Sequence, residues 1–308
     1  MTDAIRLATR RSQLALRQSS AVAARLAELS GRNVELVEVV SEGDENQAAL
    51  VTIGGAGVFV AAVRTAVLEG RADVAVHSLK DLPTAGTPGI ELAAVPARED
   101  PRDCLCAGSD TVLDDLPAGA KVGTGSPRRA AQLKLARADL DVVAIRGNVD
   151  SRLGRVGVDL DAVVLAAAGL ARLGRLAETS EFLASDVMLP APGQGALAVE
   201  ISSTAPDWLR RAVTALDDPG SRACVTAERS MLAALEAGCS APVGAIARVA
   251  EPSFWEPEIF LQGGVFGPDR GIRMSINGAA AAAEELGRTL AAKLLEAGAE
   301  SLMTERNL

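Results

Sequence analysis

The chain has 308 residues, 48% of them hydrophobic and 23% charged, with a formal net charge of -9 at pH 7. That length exceeds one simple core and implies two or three domains, and the acidic balance argues against a general binder of nucleic acid or anionic membranes. Aromatic residues make up only 2% and Tyr is absent, so the cores must be built mainly from Ala, Val and Leu.

At the N-terminus no apolar segment of signal-peptide length appears, and no stretch is long and apolar enough to span a bilayer. The first element is a strand at 4–8. A helix follows over 12–29, with Ser12 as N-cap, Leu14, Val22, Leu26 and Leu29 on one stripe, and Gly31 as its stop. Residues 34–40 read as a second strand. Segment 42–57 is polar, then glycine-rich, and reads either as a mobile loop or as an ordinary surface loop. A helix over 59–68 precedes strands at 72–78 and 91–97. This βαβ rhythm predicts a parallel sheet with helices on both faces.

The rhythm restarts after Pro101, with a strand at 120–125, a helix at 127–137 and strands at 140–147 and 161–169. Two successive α/β units imply two lobes with a cleft between them, joined near 97–102 and 189–196, where Pro and Gly cluster. From Asp218 the pattern changes to a helix at 219–237, strands at 243–250, 258–266 and 270–277, and an Ala-rich helix at 279–297, which reads as a small α+β domain.

Several polar groups stand where ligands bind in such sheets, beyond the carboxyl ends of strands. In Ser126-Pro127-Arg128-Arg129, Ser is a good N-cap and Pro suits the first helical position, which puts both arginines at the positive end of a helix. They read either as part of an anion site or as solvated surface cations. Arg10 and Arg172 also follow strands, Arg146 ends one, and Arg152 lies about one helical turn beyond it. Arginine pairs with carboxylates through two parallel hydrogen bonds, so the set points to a ligand with many carboxylates or phosphates. An apolar strand runs straight into Ser78-Leu79-Lys80-Asp81. Asp81 reads either as a carboxylate that stabilises a developing cation or as half of a structural ion pair. His77, the one histidine, reads as a packed or hydrogen-bonded residue.

The four cysteines, at 104, 106, 224 and 239, are scattered in a way that does not read as a disulfide framework, which makes the cytoplasm the expected compartment. Cys239, among small residues, reads either as a protruding reactive thiol or as an inert packed one. The C-x-C spacing of 104 and 106 is not the usual zinc spacing, and no dedicated transition-metal site is expected. No P-loop, dinucleotide fingerprint, nucleophile elbow or H-E-x-x-H is present.

A set of motifs in order goes further. LATRRSQLAL (7–16), EGD (42–44), GGAGVF (54–59), VHSLKDLPT (76–84), EDPRD (99–103), GTGSPRRAAQL (123–133), RGNVDSRL (146–153), AAAGLARLG (166–174), LPAPGQGALAVE (189–200) and TAERSMLAALEAGCSAPVG (226–244) resemble the porphobilinogen deaminase (hydroxymethylbilane synthase) family across nearly the whole chain. The resemblance implies two α/β lobes like those of periplasmic binding proteins plus a small C-terminal α+β domain. The domains would be 1–98 with 196–216, then 99–195, then 217–308. It implies a monomeric, cytoplasmic transferase of haem and other tetrapyrrole biosynthesis. Such an enzyme joins four porphobilinogen molecules head to tail with loss of ammonia, then releases hydroxymethylbilane by hydrolysis.

The family primes this chain on a covalent dipyrromethane cofactor, held through a thioether at the position of Cys239. Asp81 matches the catalytic carboxylate. Ser78, Lys80, Asp81, Ser126, Arg128 and Arg129 match cofactor contacts, and Arg10, Ser12, Phe59, Arg146, Arg152 and Arg172 match substrate contacts. Three positions depart from the family's habit: Gly125 where Ser is frequent, Ala56 where Lys is, and Arg155 where Lys is common. A non-catalytic protein that grips a polycarboxylate, or a ligand-sensing module, are the rival readings. The first leaves Cys239 and the third domain unexplained, and the second lacks a basic DNA-reading segment.

Overall fold

The computed structural model describes residues 4–39, 56–108, 111–238, 241–250 and 257–304. The chain divides into two compact units, Met1–Arg98 with Ala196–Arg222, and Glu99–Gly195 with Ala223–Leu308.

The first unit opens with β1 (Ile5–Arg10), α1 (Gln13–Ser30), β2 (Val34–Val39), α2 (Ala56–Leu68), β3 (Val74–Ser78) and β4 (Ile90–Ala94). Ser12 caps α1 as expected, its hydroxyl accepting from the Ala15 N–H at 3.3 Å, and the helix ends at Gly31 in the left-handed conformation. Strand alternation sorts the side chains by face. Ile5, Leu7, Val74 and Val76 meet Val22 and Leu26 of α1, while Ala8 and Ala75 meet Val63, Ala66 and Val67 of α2. Full burial of a side chain such as Leu26 contributes about 1.5–3 kcal/mol, so this sandwich of helices fixes the sheet firmly.

The chain then builds β5 (Asp103–Ala107), β6 (Lys121–Thr124), α3 (Pro127–Ala136), β7 (Asp141–Ala144), α4 (Val149–Leu153), β8 (Ala162–Ala166), α5 (Ala167–Arg172) and β9 (Glu181–Phe182) in the second unit. It returns to the first through β10 (Leu197–Ser202) and α6 (Asp207–Thr214). The sheet orders are β2-β1-β3-β10-β4 and β7-β6-β8-β5-β9. The expected all-parallel sheets are in fact mixed. β1–β3 and β6–β8 are parallel, but β10 runs antiparallel to β3 and β4, and β5 antiparallel to β8 and β9. β5 and β10 each follow a segment that passes from one unit to the other, so no crossover helix forces them parallel. The expected strand at 161–169 stops at Ala166 and becomes α5. An apolar Ala-rich run fits either state, and alanine's helix propensity decides the second half.

The remainder comprises α7 (Pro219–Ala234), an antiparallel sheet of β11 (Val243–Val249), β12 (Glu258–Phe266) and β13 (Gly271–Ala279), then α8 (Ala283–Glu296) and α9 (Ala299–Thr304). Met231, Leu261, Leu290, Leu294 and Leu302 form its core. Within the second unit, fully buried Glu228 ties this layer to the 190s segment, accepting from the Gly193 N–H at 2.7 Å and the Ala247 N–H at 2.6 Å. Phe266 is the one buried aromatic among the described residues, so the cores are aliphatic as the composition requires. No helix among the described residues is long and apolar enough to cross a membrane.

Gly287 of α8 allows a close approach to α7. A Cβ there would lie 2.3 Å from the Ala227 carbonyl oxygen and 2.7 Å from the Met231 nitrogen of α7. Gly287→Ala should therefore destabilise the protein, although alanine favours an isolated helix by about 1 kcal/mol. A lower urea midpoint is the expected result, and a raised midpoint would show that α7 and α8 do not pack this closely.

Candidate active site

In the first unit, β1 and β3 are parallel neighbours, so their carboxyl ends share one edge of the sheet. Half-buried Arg10 ends β1 and Ser12 starts α1. Ser78 ends β3 and leads into a 3-10 turn, Leu79–Asp81. The turn is held by Leu79 N–H donating to the Ala196 carbonyl at 3.0 Å and Leu82 N–H to the Leu79 carbonyl at 3.1 Å. Gln18 of α1 donates to the Ser78 hydroxyl at 2.9 Å. Lys80 and Asp81 are half-buried. Among the described residues, the Asp81 carboxylate has no ion-pair partner, so the structural ion pair is not seen. His77 is buried beside Glu200, its Nε2 3.3 Å from Glu200 Oε2, as a packed histidine should be.

The corresponding edge of the second sheet is rich in arginine. β6, β7 and β8 end there and hand over to α3, α4 and α5. Pro127 takes the first position of α3 and Ser126 the cap position, but the Ser126 hydroxyl makes no cap bond. The arginines that follow are not solvated. Arg128 and Arg129 are both buried, and the anion they require is supplied from within by Asp103, which is fully buried. β5 runs antiparallel to β8, which brings its first residue to the carboxyl edge. Arg128 Nη1 lies 2.8 Å from Asp103 Oδ2, Arg129 donates through Nη2 at 2.7 Å and Nε at 3.1 Å, and Gln194 donates at 2.7 Å. Arg129 also donates to the Val164 carbonyl at 2.9 Å, and Arg128 to that of Leu189. Burial opposes ionisation of Asp103, but the two guanidiniums outweigh it and hold its carboxyl well below the ordinary range.

One carboxylate for two guanidiniums leaves this cluster with one positive charge in excess. More cations lie nearby. Arg152 is half-buried, donates to the Gly147 carbonyl at 2.8 Å, and has its pKa lowered by burial and then by the field of Arg129. Arg172 donates to the Gly195 carbonyl at 2.6 Å, and its burial is opposed by attraction to Glu99. Arg146 is exposed. Guanidiniums stay charged in proteins, and buried charges call for partners, so an excess of this kind favours a polyanionic ligand.

Two of the positions singled out in the sequence, Gly125 and Arg155, have distinct local surroundings. A Cβ at Gly125 would lie 2.5 Å from the Ile145 carbonyl oxygen, so a serine there needs the β7–α4 turn to move. Arg155 is held by Asp159, with Nη2 to Oδ2 at 2.6 Å. Cys239, segment 40–55 and the side chains of Ala56 and Phe59 lie outside the described residues. Cys104, Cys106 and Cys224 are buried free thiols, and burial pushes Cys104 up to about 11 and Cys106 up to about 12, which makes both unreactive. Sequence reasoning missed Asp103 and Gln194 as partners of the helix-start arginines. Their only signal was an acid opening the apolar strand DCLCA and a glutamine between two glycines.

Residues 5–209 match the family model described as porphobilinogen deaminase, dipyromethane cofactor binding domain, and residues 222–296 match the porphobilinogen deaminase C-terminal domain. Porphobilinogen deaminase 1 of Streptomyces coelicolor is 53% identical, with 99% of each chain covered. The porphobilinogen deaminase of Leifsonia xyli subsp. xyli is 47% identical over 99% of this chain and 96% of its own. A solved periplasmic substrate-binding protein of an ABC transporter from Coxiella burnetii aligns with 73% of this chain and 96% of its own, at 13% identity and a TM-score of 0.45.

Arg129→Leu removes one of two cations from a buried carboxylate and should cost about 3 kcal/mol of stability, read as a lower urea midpoint. Arg146→Leu, at an exposed position, should leave the midpoint unchanged. Equal midpoints for Arg129→Leu and the wild type would mean that the Asp103 cluster contributes nothing to folding.

Proposed function

The chain belongs to the porphobilinogen deaminase family, and from that premise we propose that it is a hydroxymethylbilane synthase, a transferase that condenses four porphobilinogen molecules with loss of ammonia and then releases the product by hydrolysis. We assign it to the cytoplasm as a monomer. Free buried cysteines accord with a reducing compartment. Three domains are proposed: 1–98 with 196–216, 99–195, and 217–308. Three separate sheets, and a gap between the two family-model matches from 209 to 222, support that division.

The donor set fits a dipyrromethane, whose two rings carry four carboxylates, because the second sheet's edge holds more buried cations than anions. Ser78, Lys80, Asp81, Ser126, Arg128 and Arg129 would hold it, with Cys239 as the point of attachment. When bound, it supplies a tethered pyrrole carbon on which the chain of rings grows. Arg10, Ser12, Arg146, Arg152 and Arg172 would bind the acetate and propionate groups of incoming rings, and Phe59 would lie against them. Loss of ammonia leaves porphobilinogen as a delocalised cation. A carboxylate at Asp81 can accept pyrrole N–H bonds and stabilise that charge, and its surroundings can deliver a proton to the departing amine. The observation that carries this reading is the position of Asp81, half-buried at the carboxyl end of β3 with no ion pair among the described residues.

Asp81→Ala should fold normally and release ammonia from porphobilinogen about 10²–10³-fold more slowly. Ammonia and hydroxymethylbilane are both measured. Wild-type rates in the variant would remove Asp81 from the chemistry. Wild-type protein that binds porphobilinogen without releasing ammonia would make this a binding protein.

A further inference from the structure

On the α2 face of the first sheet, four polar side chains join in the core and take no part in the chemistry assigned above. Glu200 of β10 accepts from Arg64 of α2 through both oxygens, Nε to Oε2 at 2.9 Å and Nη2 to Oε1 at 2.7 Å. His77 Nε2 lies 3.3 Å from Oε2. Arg64 Nη1 donates to the Thr87 hydroxyl at 2.7 Å. Glu200, His77 and Arg64 are all buried, and Ala75, Val63 and Val67 line the same face. Burial opposes the charge on Glu200, but the bonds from Arg64 and the closeness of His77 lower its pKa to about 2.

An apolar set of similar volume would commonly be as stable in such a place, so stability alone does not account for buried ions. Their connectivity is specific. His77 is the last residue but one of β3, immediately before the turn that presents Lys80 and Asp81. Thr87 lies on the segment that leaves that turn. Entry to the turn thus lies against the Glu200 carboxylate of β10, and exit from it is bonded to Arg64 of α2, which holds that carboxylate through both oxygens. The turn itself is only three residues long.

We infer that the Arg64–Glu200–His77–Thr87 cluster is a positioning device for the Asp81 turn, and that His77 is a positioning residue for the reaction. This rests on the deaminase reading. The cluster does not touch the ligand; it fixes the backbone from which Asp81 projects. Its loss should therefore lower turnover and leave affinity alone.

Steady-state ammonia release from porphobilinogen tests this on the cofactor-loaded protein. His77→Leu should lower kcat about tenfold with KM within about twofold, and His77→Gln, which keeps a polar group against Glu200, should recover kcat to within about threefold of the wild type. Equal kcat in the two variants, or a change in KM alone, overturns the inference. If His77→Leu does not fold, Thr87→Val decides: about a threefold lower kcat at unchanged KM supports the device, and an unchanged kcat overturns it. Wild type that releases no ammonia overturns the deaminase reading itself. Wild type that turns over normally while the variants fail these expectations overturns the positioning role only.

Discussion

A fully buried carboxylate, Asp103, gathers the start of α3, the carbonyl of Val164 in β8 and the side chain of Gln194 around itself. Two guanidiniums at the positive end of a helix would be costly without an anion. Asp103 neutralises one of them, which lets the helix start there and leaves one positive charge over. That imbalance links fold and chemistry in the second unit. The cluster is rigid because every member is bonded within the protein, and it still attracts anions because the charges do not cancel. Arg152 and Arg172, each anchored by one bond to a backbone carbonyl, add to the same field.

The first unit uses its sheet edge differently. Arg10, Ser12, Ser78 and Lys80 lie along it, and it ends in a turn whose carboxylate has no ion-pair partner among the described residues. A second buried acid, Glu200, stands behind that turn and is held by Arg64 through both oxygens. Both units thus place buried acids behind the edge as anchors for arginine, and both leave charge at the edge itself. An acidic chain with a net charge of -9 can in this way present local positive sites to a ligand made of carboxylates.

Much of the fold was legible in the sequence. The cap at Ser12, the stop at Gly31 and the strand at 258–266 are local features, set by neighbouring residues. The antiparallel β5 and β10 were not legible, because their direction depends on which unit the chain comes from. Nor was the end of β8, where alanines fit strand and helix alike. At the site, cations at a helix start read either as part of an anion site or as solvated, and the anion beside them is an internal one. Its source, Asp103, is far off in sequence, and pairing across a sheet leaves no periodic trace. The roles of Asp81 and Cys239 came from motif resemblance, since a lone acid or thiol has a structural explanation as ready as a chemical one.

The most direct measurement is the intact mass of the denatured protein beside a Cys239→Ser control. The account predicts an excess equal to two condensed pyrrole units, absent from the control, either as isolated or after incubation with porphobilinogen. A bare polypeptide mass that porphobilinogen leaves unchanged would contradict it.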